Sequence, residues 1–331
     1  MRTCNVAVVG ATGLVGRKMI QVLEERKFPV GNLTLLASER STGKEFSFAR
    51  RVYTVERLTP SSFHDVEVAL FSAGATVSKE FAPHAVRAGA LVIDNSSAFR
   101  MDEPVPLVVP EVNRRMIFCH KGIIANPNCS TIQMVVALKP LHDRWKVKRV
   151  VVATYQSVTG AGQKGLAQLE AEVAKEPVYE KKFPHPIAFN VLPHVDIFYE
   201  DGYTREEHKM VRETKKIMGD ETIRVSATCA RVPVWGGHSE AINVEFERPF
   251  ELREVREVLA KAPGIALVDD PDKAFYPMPT TSWGRDEVFV GRIRRDETVE
   301  NGLNMWVVSD NLRKGAATNA VQIAEEWLKG H

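Results

Sequence analysis

The chain has 331 residues, 44% of them apolar, enough for a sizeable core and for two domains rather than one. Its 44 Lys and Arg against 42 Asp and Glu leave a formal net charge of +2 with no long basic run, which argues against nucleic acid as a partner. No apolar stretch approaches the roughly 20 residues of a bilayer span. The start, Met1-Arg2-Thr3-Cys4, runs straight into a strand-like segment with no room for a signal peptide.

Asn5–Val9 is a short β-branched run that stops at Gly10. Gly10-Ala11-Thr12-Gly13-Leu14-Val15-Gly16 follows, and then a helical pattern through Met19, Ile20, Val22 and Leu23. Strand, glycine turn and helix open a dinucleotide-binding βαβ unit, with the pyrophosphate at the helix N-terminus. The spacing is GxxGxxG rather than GxGxxG, so the flanking elements carry the reading as much as the glycines do. A second strand, Leu33–Ala37, leads into Ser38-Glu39-Arg40-Ser41-Thr42-Gly43-Lys44. An acidic residue here would bind a ribose 2′-hydroxyl. Arg40, Lys44 and three hydroxyl side chains suit a 2′-phosphate instead, which favours NADP over NAD, with Glu39 pulling the other way. Val66–Phe71 leads into Ser72-Ala73-Gly74, where parallel sheets bind ligands. A helix over about 76–88 and a strand at Ala90–Asp94 continue a doubly wound parallel sheet.

Beyond residue 128 the pattern changes. Val147–Thr154, Ile223–Val234, Glu240–Glu247, Glu287–Arg294 and Leu303–Ser309 read as longer strands. Helices are expected near Lys164–Lys175, Arg205–Met218 and Glu251–Lys261. This predicts an α+β second domain with a largely antiparallel sheet. The amphipathic segment Gly315–Lys329 is expected to pack back on the first domain. The expected domains are 1–127 with 312–331, and 128–311.

The chemistry-bearing residues cluster in this second half. Cys129 stands in Asn126-Pro127-Asn128-Cys129-Ser130-Thr131, just before an apolar helical pattern. A thiol at a helix N-terminus is favoured as a nucleophilic thiolate, the alternative being a buried structural cysteine. The other cysteines (Cys4, Cys119 and Cys229) form no pair at zinc-site spacing. Free thiols and no metal fit a cytoplasmic enzyme better than a disulfide scaffold. In Arg231-Val232-Pro233-Val234-Trp235-Gly236-Gly237-His238, a strand delivers an arginine and a glycine turn presents a histidine. His serves as a general base near neutral pH, and Arg forks onto a carboxylate. Gln156, Ser157, Gly160 and Gly162 form a loop suited to a flat ligand. Glu206 and Lys209 share a helix face, which taken alone is a surface ion pair, and Arg100 follows a strand end.

Taken together, Gly10–Gly16, Asp94–Arg100, Asn126–Thr131, Tyr155–Gly162, Glu206–Lys209, Arg231–Glu240 and the segment from Asp310 to Ala317 resemble the aspartate-β-semialdehyde dehydrogenase family over essentially the whole chain. The resemblance implies a Rossmann-type domain plus a catalytic and dimerisation domain. The implied reaction is reversible, NADPH-dependent reduction of L-4-aspartyl phosphate to the semialdehyde, in the route to lysine, threonine and methionine. It implies Cys129 as nucleophile, His238 as acid/base and Gln156 as orienting group. Arg231 would bind the substrate carboxylate, Glu206 its amino group, and Arg100 and Lys209 phosphate, with Asn128 a further substrate contact. The cofactor set would be Gly10, Thr12, Gly13, Leu14, Val15, Gly16, Ser38, Arg40, Ser41, Thr42, Ser72, Ala73, Gly74, Ser157, Gly160, Gly162 and Asn311. Inorganic phosphate as co-substrate and a homodimer are also implied. Two rivals are an N-acetyl-γ-glutamyl-phosphate reductase, whose acylated substrate nitrogen would leave Glu206 without purpose, and a non-catalytic NADP-binding sensor, which would need no Cys129–His238 pair.

Overall fold

A computed structural model describes residues 2–330; Met1 and His331, the outer ends of the expected first domain, lie outside them. The chain divides into two units, Met1–Pro127 with Ala316–His331, and Asn128–Gly315.

In the first unit β1 (Cys4–Val9), α1 (Leu14–Glu25) and β2 (Val30–Ala37) form the opening βαβ motif. A hairpin of β3 (Glu45–Phe48) and β4 (Arg51–Arg57) follows. Then come β5 (Val68–Phe71), α2 (Ala75–Arg87), β6 (Leu91–Asp94), α3 (Pro110–Asn113) and β7 (Ile123–Ala125). The seven strands run in the order β3-β4-β2-β1-β5-β6-β7. All pairings are parallel except the edge hairpin β3–β4. The central strands are apolar on both faces because both are covered. One core cluster holds Val6, Val8 and Leu35, and the other Ala7, Val9 and Phe71.

The glycine turn sets α1 against this sheet. A Cβ on Gly16 would lie 2.2 Å from the Gly10 carbonyl oxygen, so any side chain there would push the helix away. The α1 N-terminus carries no side-chain cap and no acidic residue in its first turn. Such an end presents backbone N–H groups and a partial positive charge to an anion.

The second unit begins with α4 (Cys129–Trp145), β8 (Val147–Gln156), α5 (Gln163–Ala174) and α6 (Arg205–Met218). It continues with β9 (Arg224–Arg231), β10 (His238–Phe246), α7 (Leu252–Lys261), β11 (Ile265–Leu267), α8 (Pro279–Ser282), β12 (Val288–Asp296) and β13 (Gly302–Ser309). Its six-stranded sheet has the order β11-β12-β13-β10-β8-β9. Strand β10 is antiparallel to both β8 and β13, and β12 to β13, whereas β8–β9 and β11–β12 are parallel. The sheet is therefore mostly antiparallel. Helix α4 packs on β8, β10 and β13, and α6 packs on β9 and α4.

After a π-helical turn at Arg313–Ala317, α9 (Thr318–Lys329) belongs to the first unit. Its apolar side (Ala320, Val321, Ile323 and Ala324) joins the core beside Met19 and Leu23 of α1. Arg26, at the end of α1, forks onto Glu325 of α9 at 2.8 and 2.7 Å. No helix among the described residues is long and apolar enough to cross a membrane.

Candidate active site

Cys129 is the first residue of α4, because Asn128 ends the extended approach and caps the helix. The Asn128 Oδ1 accepts the N–H groups of Ser130 and Thr131 at 3.0 and 3.1 Å. Its own N–H donates to Glu213 at 2.7 Å, and its Nδ2 donates to Glu206 Oε1 at 2.8 Å. The Asn128 side chain is thus spent on the helix start and on Glu206. The Cys129 side chain is partly exposed, whereas Cys4 and Cys229 are buried.

Glu206 overturns the bland reading of a surface ion pair, since it is only 5% exposed. Helix α6 is anchored by a reciprocal cap: Glu207 N–H donates to Thr204 Oγ1 at 3.3 Å, and Thr204 N–H to Glu207 Oε2 at 2.6 Å. The other Glu207 oxygen accepts the Cys229 N–H of β9 at 2.9 Å, which turns Glu206 inward. Burial works to raise the Glu206 pKa. The Lys209 charge, hydrogen bonds from Asn128 and Gln156, and Arg231 outweigh it and hold the group below the usual carboxylate range. Gln156 Nε2 donates to Glu206 Oε1 at 3.1 Å, and Lys209 Nζ approaches Oε2 at 3.1 Å. Lys209 also pairs with Asp196 at 2.8 Å, and Asp196 forks with Arg205. Asp196 and Glu213 escape a sequence reading: Asp196 sits in an irregular loop, and Glu213 looks like any polar helix position.

Arg231 ends β9 and is buried. Desolvation lowers its pKa, while the charges of Glu206 and Cys129 oppose that. Its Nη1 donates to the Ser157 carbonyl at 2.6 Å. His238 opens β10 rather than hanging on the glycine turn, and it is fully buried. The Ser157 backbone N–H donates to His238 Nδ1 at 3.1 Å. An amide N–H only donates, so Nδ1 accepts and the neutral ring carries its proton on Nε2. That Nε2 is buried without a hydrogen-bond partner among the described residues. Burial, then the Arg231 charge, push the His238 pKa down to about 3, so the ring is neutral near pH 7. Gly160 joins this group: a Cβ there would lie 2.8 Å from Arg231 Nη1 and 3.1 Å from His238 Nε2. The Asn311 Oδ1 accepts from Ser157 Oγ at 3.0 Å and from the Gly237 N–H at 3.0 Å, so it braces both the loop and the turn. Gly162 caps α5. Cys129, Gln156, Glu206, Arg231, His238 and Gly160 thus belong to one connected site within the second unit.

The remaining candidates lie in the first unit. Arg100 is not at the surface: it is 7% exposed, with Nε on the Asn126 carbonyl and Nη2 on the Asn95 carbonyl, both at 2.9 Å. Thr12 Oγ1 donates to Ser41 Oγ at 3.3 Å beside the glycine turn of Gly10, Gly13, Leu14, Val15 and Gly16. Ser38 precedes the short 3-10 turn Glu39–Ser41, and Thr42 ends it. Arg40 is exposed, and Glu39 faces Arg57 at 3.6 Å. Ser72, Ala73 and Gly74 link β5 to α2.

Comparison with known proteins fits this arrangement. Residues 5–119 match the family model described as "Semialdehyde dehydrogenase, NAD binding domain", and residues 138–314 match "Semialdehyde dehydrogenase, dimerisation domain". Fold and site therefore define a semialdehyde dehydrogenase. An aspartate-semialdehyde dehydrogenase of Aquifex aeolicus is 59% identical over 98% of each chain. The crystal structure of aspartate semialdehyde dehydrogenase II from Vibrio cholerae, complexed with ASA, matches with a TM-score of 0.96 and 48% identity over 99% of each chain. A Candida albicans aspartate semialdehyde dehydrogenase with NADP matches with a TM-score of 0.75 and 27% identity over 98% of each chain. The chain belongs to the aspartate-semialdehyde dehydrogenase family, oxidoreductases of amino-acid biosynthesis.

Proposed function

We propose that the chain converts L-4-aspartyl phosphate and NADPH reversibly to L-aspartate 4-semialdehyde, NADP⁺ and inorganic phosphate through a thioester on Cys129. The observation that carries this is the buried Glu206 carboxylate, held ionised within electrostatic reach of Arg231 and joined through Asn128 to the Cys129 helix start. One anion and one cation beside a thiol match a substrate with a free ammonium and a free carboxylate on the α-carbon, two bonds from its acyl carbon. An N-acetylated substrate would give the Glu206 carboxylate no ammonium to meet, leaving it only its ion pair with Lys209 and setting an acylated nitrogen against it. The names of the relatives and the Vibrio cholerae complex with ASA point the same way.

The α4 N-terminus and the Arg231 charge favour an anionic Cys129 sulfur. That sulfur attacks the acyl phosphate carbonyl. The C–O bond to phosphate breaks with its electron pair, and the departing phosphate takes a proton from solvent. Glu206 grips the ammonium, Arg231 the carboxylate and Gln156 the acyl group, while Arg100 and Lys209 receive phosphate. His238 offers its Nε2–H to the oxyanion of each tetrahedral stage. When bound, the nicotinamide supplies the hydride that reduces the thioester carbon. The oxyanion then expels the Cys129 thiolate and the aldehyde is released.

The uncapped start of α1 and the close approach at Gly16 suit a pyrophosphate. Arg40 makes no hydrogen bond or ion pair to another described residue, and Glu39 faces Arg57, which supports a 2′-phosphate and hence NADP. A homodimer agrees with the matched dimerisation domain. Tyr155 and Trp306, whose ring centroids are 5.4 Å apart, offer an apolar patch on the sheet for it.

The test is phosphate-dependent reduction of NADP⁺ by L-aspartate semialdehyde, with N-acetylglutamate semialdehyde in parallel. Activity with the first aldehyde alone is expected. Activity with only the second moves the enzyme to the sister reaction, and silence with both overturns the catalytic reading.

A further inference from the structure

Glu240 has no part in the mechanism above, yet it is fully buried. It follows His238 by two residues on β10, so both side chains point to the same face of the sheet, and α4 packs on that strand. Gln133, also fully buried, follows Cys129 by four residues on α4, which places it one turn behind the thiol on the same helix face. Gln133 is the side chain that acts on the Glu240 carboxyl as a hydrogen-bonding neighbour. Neither carboxyl oxygen, and neither amide atom of Gln133, closes a regular hydrogen bond with another described residue. Two fully buried polar groups, each left with the other, therefore stand between the helix that begins with the nucleophile and the strand that begins with the histidine.

We propose that Glu240 is a positioning residue for the reaction: its carboxyl and the Gln133 amide form the polar tie between α4 and β10 that sets Cys129 relative to His238. The inference rests on the reading of Cys129 and His238 given above. The chemistry of the pair suits a tie. Burial raises the Glu240 pKa well above the usual carboxylate range, so the group is a neutral acid with one donor and one acceptor. A primary amide offers the same two functions, and the two groups can meet head to head. The neighbours do not compete for it. Glu240 is in register with Thr154 on β8 and Val307 on β13, neither of which titrates. Cys229 on β9 is itself kept a neutral thiol by burial.

The test compares Glu240→Gln, Glu240→Leu, Gln133→Glu and the exchanged double variant Gln133→Glu/Glu240→Gln. The readouts are kcat, KM for the aldehyde and the rate of Cys129 alkylation by iodoacetamide. A tie of this kind predicts that Glu240→Leu lowers kcat about tenfold or more, the scale expected when reacting groups shift slightly, with KM changed less than about threefold. Glu240→Gln keeps kcat within about threefold of the parent, because it is neutral and can still pair. Gln133→Glu alone puts two carboxyls in one buried site, a coupled pair that releases its first proton more readily than Glu240 alone and so buries a charge between α4 and β10. Activity falls, and the exchanged pair, again one acid and one amide, regains most of it. Should Glu240→Leu fail to fold, the exchange decides alone. Failure of the exchanged pair to improve on Gln133→Glu overturns the proposal, as does an undiminished kcat in Glu240→Leu. A parent enzyme inactive on the aldehyde would instead overturn the reaction assignment, and alkylation of Cys129 would still report on the tie.

Discussion

His238 and Glu240, two residues apart on one strand, titrate in opposite senses, and each leaves its own mark on stability. The folded pKa of His238, about 3, lies below its ordinary 6.5. Between those values the unfolded chain holds more protons, so stability is lost as pH falls through that window, by at most about 1.4 kcal/mol per pH unit. The folded pKa of Glu240 lies above its ordinary 4.5. Its contribution is fully present below that ordinary value and is lost as pH rises toward the folded one. His238→Asn should therefore flatten the acid side of the stability curve. Glu240→Gln should gain stability relative to the parent at about pH 8 and not at about pH 4. Denaturant unfolding across pH checks both, and parallel curves for parent and variants would contradict the burial argument. The same imidazole has its Nδ1 occupied by the Ser157 N–H, which leaves Nε2 as the ring nitrogen available for the proposed acid/base role.

The helix starts carry most of the site at the element scale. Asn128 caps α4 and also holds Glu206, so Asn128→Ala should cost about 1 kcal/mol of stability and also raise KM for the aldehyde. Asn128→Asp keeps the cap acceptor but sets a carboxylate against Glu206. It should retain more stability than Asn128→Ala and bind substrate worse. Thermal melts and steady-state kinetics separate the two effects, and equal KM values for both variants would remove Asn128 from the substrate site.

These elements also show what a sequence reveals. The βαβ opening was legible because its strand is β-branched, its turn glycine-rich and its helix periodic. Cys129 was legible because a capping residue and an apolar period bracket it. The hairpin β3–β4 was not, since its turn uses Ala49 and Arg50 at φ of 49° and 64°, where Asn-Gly would be the recognisable signal. Nor was the burial of Glu206, because a Glu and a Lys three apart read as a surface pair whichever way the helix faces. Glu240 and Gln133 were equally hidden, as a polar residue on a core-facing position declares itself only through its neighbours.

On the scale of the whole molecule, a net charge of +2 gives no general preference for an anionic ligand, so cofactor choice falls to local groups. Arg40→Ala should weaken NADPH binding about tenfold and leave NADH within about twofold, the difference expected for one charge-assisted hydrogen bond to a 2′-phosphate. Fluorescence titration with each nucleotide measures this, and equal losses would contradict the NADP assignment. The most direct test of the account asks whether Cys129 carries the acyl group. The enzyme would be mixed with L-4-aspartyl phosphate without reduced nicotinamide, quenched in acid and examined by peptide mass spectrometry. The account predicts one aspartyl group on the peptide containing Cys129, lost on adding NADPH and absent from Cys129→Ala. An acyl group on another residue, or turnover that persists in Cys129→Ala, would contradict it.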